Sequence, residues 1–257
     1  MKPVLGLASL LGAVVLLSSC SSPSESPVEN PVGSPAAAAS SDSNNDESAA
    51  WPYEEGELLS GTATPTFQDG EAGEVSVVQI GPFDGTSLPF AYRNNTDAAI
   101  SHIDWSATAR SGGQIVATGS SQGGTPAQVP PGGVGFAFIY FGSDTELPAD
   151  AEYEFSENHM PADATPYNTA PFVITETNDV GGSIVGSAVN RTGSTVTGPY
   201  GVKVYCFDGD DLLSDVGTYA EQDGDLVDGG TVSFTVDLYG EPCPTYLLGV
   251  SGYFNPS

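Results

Sequence analysis

Gly119-Ser120-Ser121-Gln122-Gly123 fits the G-x-S-x-G spacing that lifts a nucleophilic serine onto a sharp strand-to-helix turn. A hydrolase built on Ser121 needs a helix after it and a histidine base beside it. The residues that follow are GTPAQVPPGG, and their prolines exclude a helix. His102 and His159 are the only histidines. The densest acidic clusters are Asp208-Gly209-Asp210-Asp211 and the run Glu221, Asp223, Asp225, Asp228. Asp208, Asp210 and Asp211 are the candidate metal ligands. Calcium takes six to eight oxygens at set spacings, and neither cluster has the twelve-residue loop ending in a bidentate Glu. Asp-Gly is first of all a hairpin turn. Two carboxylates could form an acid pair for glycoside hydrolysis, but no aromatic sugar platform accompanies any pair. Two His, two Met and one Cys pair are too few for a zinc or copper site. No catalytic residue and no cofactor follow from these motifs.

The three cysteines, Cys20, Cys206 and Cys243, make an odd count. Cys20 ends an apolar run. Met1-Lys2-Pro3 is followed by Val4 to Leu17, which is too short to span a bilayer and fits the core of a secretory signal. Leu17-Ser18-Ser19-Cys20 resembles the lipobox of bacterial lipoproteins. That resemblance implies cleavage after residue 19, a diacylglyceryl thioether on Cys20, and palmitate-type acylation. It implies anchoring to the cell membrane on its extracytoplasmic side, since two acyl chains hold stably where one does not. Residues 21–50 hold nine Ser, four Pro and six Ala, with no aromatic and no positive charge. Such a stretch has nothing to bury and reads as a disordered tether. As a flexible coil it spans on the order of 30 Å. Removing Cys20 from the count leaves Cys206 and Cys243 as a pair in an exported, oxidising setting.

After the signal-like segment, Arg93, Arg110, Arg191 and Lys203 are the only strong bases, in a chain of 33 Asp and Glu and net charge −28. Nucleic acid and anionic headgroups are repelled by such a surface. Partners compatible with it are a protein or cell-envelope component, and divalent cations held loosely. With 32 Gly and 20 Pro, the composition favours strands and turns over helices.

The rest of the chain reads as short alternating segments broken by turns, the pattern of a β-sandwich. Residues 51–73 are acidic and turn-rich, with Trp51, Tyr53 and Phe67 as docking points. Strands are predicted at 74–80, 87–93, 99–109, 115–121, 134–141 and 151–157. Ile103, Trp105, Ala107 and Ala109 share one face, which makes Trp105 a core residue, and Val134, Phe136, Phe138 and Tyr140 alternate. His102 is expected to face solvent. The pattern then recurs at an offset of about 97 residues, the size of one immunoglobulin-like domain. FVITETN (172–178) matches EVSVVQI, SIVGSAVNRTGSTV (183–196) matches SLPFAYRNNTDAAI, and TYLLGVSGYF (245–254) matches AEYEFSEN. In both copies an Asn-x-Thr sits at a turn, where Asn tolerates the left-handed conformation and Thr bonds locally. The expected organisation is a repeat over 74–158, a semi-rigid proline-containing link over 159–171, and a second repeat over 172–257.

This arrangement is similar to the FxLYD-type and related immunoglobulin-like modules of bacterial lipoproteins. The closest stretch is 184–238, with VKVYCFDGDD as strand and hairpin; in the first repeat ARSGGQ replaces the acidic hairpin. The resemblance implies an all-β chain of two tandem sandwiches, extracytoplasmic and non-catalytic. In such a sandwich the strand ending near Cys206 and the strand starting after Cys243 are antiparallel neighbours, so these cysteines are expected to form a disulfide. The corresponding places in the first repeat are Ala109 and Leu147. The function expected is binding or scaffolding of another envelope component; the alternatives are a calcium-dependent adhesion or carrier module, or an acid-pair hydrolase.

Overall fold

Alternating apolar residues bounded by glycine turns give fifteen strands in the computed structural model, which describes residues 52–54 and 56–256. The signal-like segment 1–19, Cys20, the tether 21–50 and Trp51 lie outside the described residues. The strands are β1 (Ser60–Gly61), β2 (Val75–Ile80), β3 (Ser87–Asn94), β4 (Ile100–Ser111), β5 (Gln114–Gln122), β6 (Gln128–Val129), β7 (Val134–Tyr140) and β8 (Glu152–Pro161). They continue as β9 (Thr169–Pro171), β10 (Val173–Asp179), β11 (Ser183–Val189), β12 (Val196–Asp208), β13 (Asp211–Tyr219), β14 (Thr231–Asp237) and β15 (Thr245–Phe254). All named pairings are antiparallel. The described chain is therefore all-β.

The internal repeat is visible in the strand order. The first half holds the row β2-β3-β7, and the second half holds β10-β11-β14. Likewise β8-β4-β5 corresponds to β15-β12-β13. In the second half two separate sheets enclose one core, in which Ile184, Val232 and Phe234 meet Val202, Val204 and Leu248. In the first half a single bridge, Ser120 to Tyr140, joins the two rows into one sheet. Its core holds Phe90, Trp105, Ala107 and Ile139, and Trp105 is 2% exposed with its ring edge-on to Phe90. The repeat shortens toward its end. Ala109 faces Tyr153 as Cys206 faces Tyr246, so an offset of 97 residues (206 less 109) falls to 93 (246 less 153).

The two Asn-x-Thr turns superimpose bond for bond. Asn94 Nδ2 donates to Ala98 O (2.8 Å) and Val129 O (3.0 Å), and its Oδ1 accepts from Thr96 N (3.1 Å) and Thr96 Oγ1 (2.7 Å). Asn190 Nδ2 donates to Ser194 O (2.8 Å) and Leu226 O (3.1 Å), and its Oδ1 accepts from Thr192 N (3.0 Å) and Oγ1 (2.8 Å). Both asparagines are fully buried. Left-handed backbone is not their reason for being Asn, because neither has a positive φ. The side-chain amide ties a turn to a distant loop with two donors and two acceptor sites, all satisfied.

The stretch 159–171 is not a free-standing link. Residues 159–161 end β8, and Thr169–Pro171 form β9 on the edge of β15. Between them Asn168 is buried and bonded to Ser101 and Asp163, and Gln128 reaches Asp163 O. Nor are the halves beads on a string, because the described residues belong to one compact unit. A third core forms between the outer faces of β2-β3-β7 and β12-β13, from Val78, Ala91 and Phe136 on one side and Tyr205, Phe207 and Leu212 on the other. Phe136 stacks on Tyr205 with centroids 4.6 Å apart. The aromatic face of β7 is thus its outward face, while Ala137 and Ile139 point into the first half's own core.

The segment before β2 locks this interface. Its residues pair with the second half through β1 and β15, then enter the contact between the halves at Ala63 and Phe67. The Phe67 ring lies edge-on to Phe136 (5.8 Å) and Phe207 (6.5 Å), one from each half. Phe67→Ala is expected to cost about 2 kcal/mol, read as a lower urea midpoint at unchanged m. A change below about 0.5 kcal/mol, the range of an ordinary surface substitution, would show that Phe67 is not part of the shared core.

Candidate functional site

The structure joins Cys206 and Cys243 by a disulfide with Cα atoms 4.8 Å apart. The local reason is register. On antiparallel β12 and β15, Cys206 lies opposite Tyr246 and Phe207 opposite Thr245, which brings the chain just before β15 beside the end of β12. In the first half Ala109 is fully buried at the matching place, and Leu147 packs against the core.

The acidic hairpin turns at Gly209, whose φ of 60 is the positive value a two-residue turn needs, with Asp208 paired to Asp211. Its carboxylates do not converge. Asp210 Oδ1 accepts from Thr66 N (2.8 Å), its carbonyl accepts from Gln79 Nε2 (2.7 Å), and Asp208 and Asp211 are exposed. The run from Glu221 is also dispersed, with Asp225 held by Asn255 and Asp228 by Gly193 N. Among the described residues no group of three His, Cys, Asp or Glu is placed to hold a metal ion.

Ser121 lies within β5, beside Trp105 in register, and the chain continues into a turn at Gly123 rather than a helix. Its Oγ has no hydrogen-bond partner in the protein. His102 is exposed at a bulge of β4 with φ 44, and His159 Nδ1 contacts Glu157 Oε2 at 2.8 Å on β8. Among the described residues neither histidine is hydrogen-bonded to a serine.

Every Lys and Arg among the described residues is engaged by the chain itself. Arg93 donates to Gln68 O and Gly132 O. Arg110 pairs with Glu154 at 2.9 Å, and Arg191 with Glu57 at 3.6 Å. Lys203 pairs with the nearly buried Asp215 at 2.5 Å and lies 4.7 Å from the centroid of the Phe138 ring, so it fastens the two halves. A partner would meet carboxylates, neutral polar groups, the exposed Arg191 and exposed tyrosines such as Tyr167, Tyr219 and Tyr239. A hydrogen bond from Asn168 holds the Asp163 carboxyl below its usual range. Burial, reinforced by Asp215, pushes the Tyr205 phenol well up, and burial pushes Tyr200 up to about 12. These shifts belong to packing. One open depression of about 260 Å³ is lined by Thr62, Ala63, Thr64, Gly209, Asp210 and Thr245, where the segment before β2 meets the acidic hairpin.

No family model matches the chain, and no curated protein matches it. Among solved structures, it is similar to red sea bream transglutaminase at 12% identity and a TM-score of 0.20. The match covers 70% of this chain and only 29% of that one, so the chain spans under a third of that enzyme's length.

Sequence reading missed the shared core between the halves. Its signal was present in Val204-Tyr205-Cys206-Phe207, an unbroken apolar run where a one-sided strand would alternate.

Proposed function

We propose that the chain is a lipid-anchored, extracytoplasmic lipoprotein without catalytic activity, whose β-sandwich halves bind or scaffold another envelope or extracellular component. The observation that carries this reading is Leu17-Ser18-Ser19-Cys20 between an apolar run and a Ser/Pro/Ala stretch. The Cys206–Cys243 bond supports it, because such bonds persist in oxidising compartments. The internal use of all four described strong bases supports a partner other than nucleic acid or an anionic surface.

Mass spectrometry of protein extracted from membranes tests the anchor. The expected N-terminal peptide begins at Cys20 and carries a diacylglyceryl group, and Cys20→Ser releases the protein from the membrane fraction. A secreted form with an intact Cys20 thiol would sink the proposal.

A further inference from the structure

Residues 56–63 fill a groove on the second half. Ile174 N donates to Glu57 O (2.9 Å), and Leu58, 6% exposed, packs with Val173 and Val189. Ser60 and Gly61 pair with Leu248 and Leu247, and the N–H groups of Thr62 and Ala63 both donate to Tyr246 O (2.8 and 3.0 Å). The segment thus bridges β10 of one sheet and β15 of the other and closes the side of the sandwich. It reaches this place from far away in sequence, Ser60 being 188 residues from Leu248 (248 less 60). None of these contacts depends on the covalent link to the first half, which runs through exposed residues 68–74.

The groove is selective. A Cβ at Gly61 would lie 2.0 Å from the backbone oxygen of Tyr246, so only glycine fits there, three residues after the buried Leu58. Arg191, 3.6 Å from Glu57, offers a positive charge to the glutamate one residue before Leu58. An empty groove would expose Val173 and Val189 and leave backbone groups of β10 and β15 unpaired, a state that invites another strand. The ladder that holds the segment is only two residues long.

We propose that this groove is a strand-acceptor site whose second occupant is the 56–63 segment of another copy of this chain, giving a dimer by reciprocal strand exchange. Elsewhere the net charge of −28 opposes self-association. At the groove, Glu57 of the segment meets Arg191, and Leu58 meets an apolar floor. The proposal does not depend on the lipoprotein reading.

The test uses full-length Leu58→Asp protein, which weakens its own segment and leaves the groove intact, and a fluorescent peptide of residues 54–67. Saturable binding is expected, with the Gly61→Val peptide binding at least about tenfold more weakly. In parallel, labelled and unlabelled wild-type protein are mixed at high concentration in mild urea, returned to buffer and examined by native mass spectrometry. Mixed dimers that survive dilution are expected. A folded Leu58→Asp protein that binds neither peptide, or both equally, overturns the acceptor site. Wild-type protein that stays monomeric, or forms dimers that dissociate at once on dilution, overturns the second copy as occupant. Should Leu58→Asp not fold, the wild-type mixing experiment decides alone.

Discussion

Reducing the Cys206–Cys243 bond is expected to lower the melting temperature of the whole folded unit in a single transition. The bond closes a loop of 38 residues (separation 37, plus one). Chain-entropy arithmetic gives about 4 kcal/mol for such a loop, as an upper-end value. For a unit of this size that corresponds to roughly 8–16 °C. One transition is expected because Cys206 lies between Tyr205 and Phe207, whose rings pack on the first half. Loosening the end of β12 therefore weakens both halves. Calorimetry with and without reductant, and of the Cys206→Ala/Cys243→Ala double variant, reads this directly. Two resolved transitions of which only the later-sequence half moves would show that the halves unfold independently.

Asn190→Asp should be as damaging, and its damage should depend on pH. The amide nitrogen of Asn190 faces two carbonyls, Ser194 O and Leu226 O, in a fully buried site. A carboxylate there loses both donors and sets a negative oxygen against two others. Two lost buried hydrogen bonds, and a buried carboxylate facing two carbonyls that keep their other donors in Thr192 Oγ1 and Val196 N, cost about 4 kcal/mol at neutral pH. The variant carboxyl is stabilised when protonated, so its folded-state pKa lies above the unfolded value of about 3.9. A raised pKa contributes stability that is present below the unfolded pKa and lost as pH rises through the folded one. The gap to wild type should thus narrow as pH falls toward about 4. Asn94→Asp is expected to behave alike, since its partners repeat those of Asn190. Urea denaturation of both variants and wild type at pH 7 and pH 4.5 measures the gap; a pH-independent difference would remove the buried-carboxylate explanation.

The sequence by itself determined the all-β class, the longer strands and their turns. Period-two alternation and Gly or Asp-Gly turn chemistry act within a few residues, so 87–93 and 134–141 are readable without knowing what they pack against. The pairing of Cys206 with Cys243 was also within reach: setting Cys20 aside leaves two cysteines, and the resemblance to an immunoglobulin-like sandwich implies that their strands are neighbours. Asn94 and Asn190 were recognisable as turn residues. Their distant acceptors, Val129 and Leu226, were not, since nothing local marks a carbonyl some 35 residues away as a partner.

Only the tertiary structure decided that 56–67 belongs to both halves and that 159–171 is built into the sheets. A two-residue strand such as Ser60–Gly61 has no periodicity to detect, and it exists because the edge of β15 supplies its hydrogen bonds. The outward aromatics of β7 and β12 read alone as one face of each strand. Which face meets the strand's own core and which meets the other half is settled by how two whole sheets pack, and that free energy is spread over Phe67, Phe136, Tyr205 and Phe207 together.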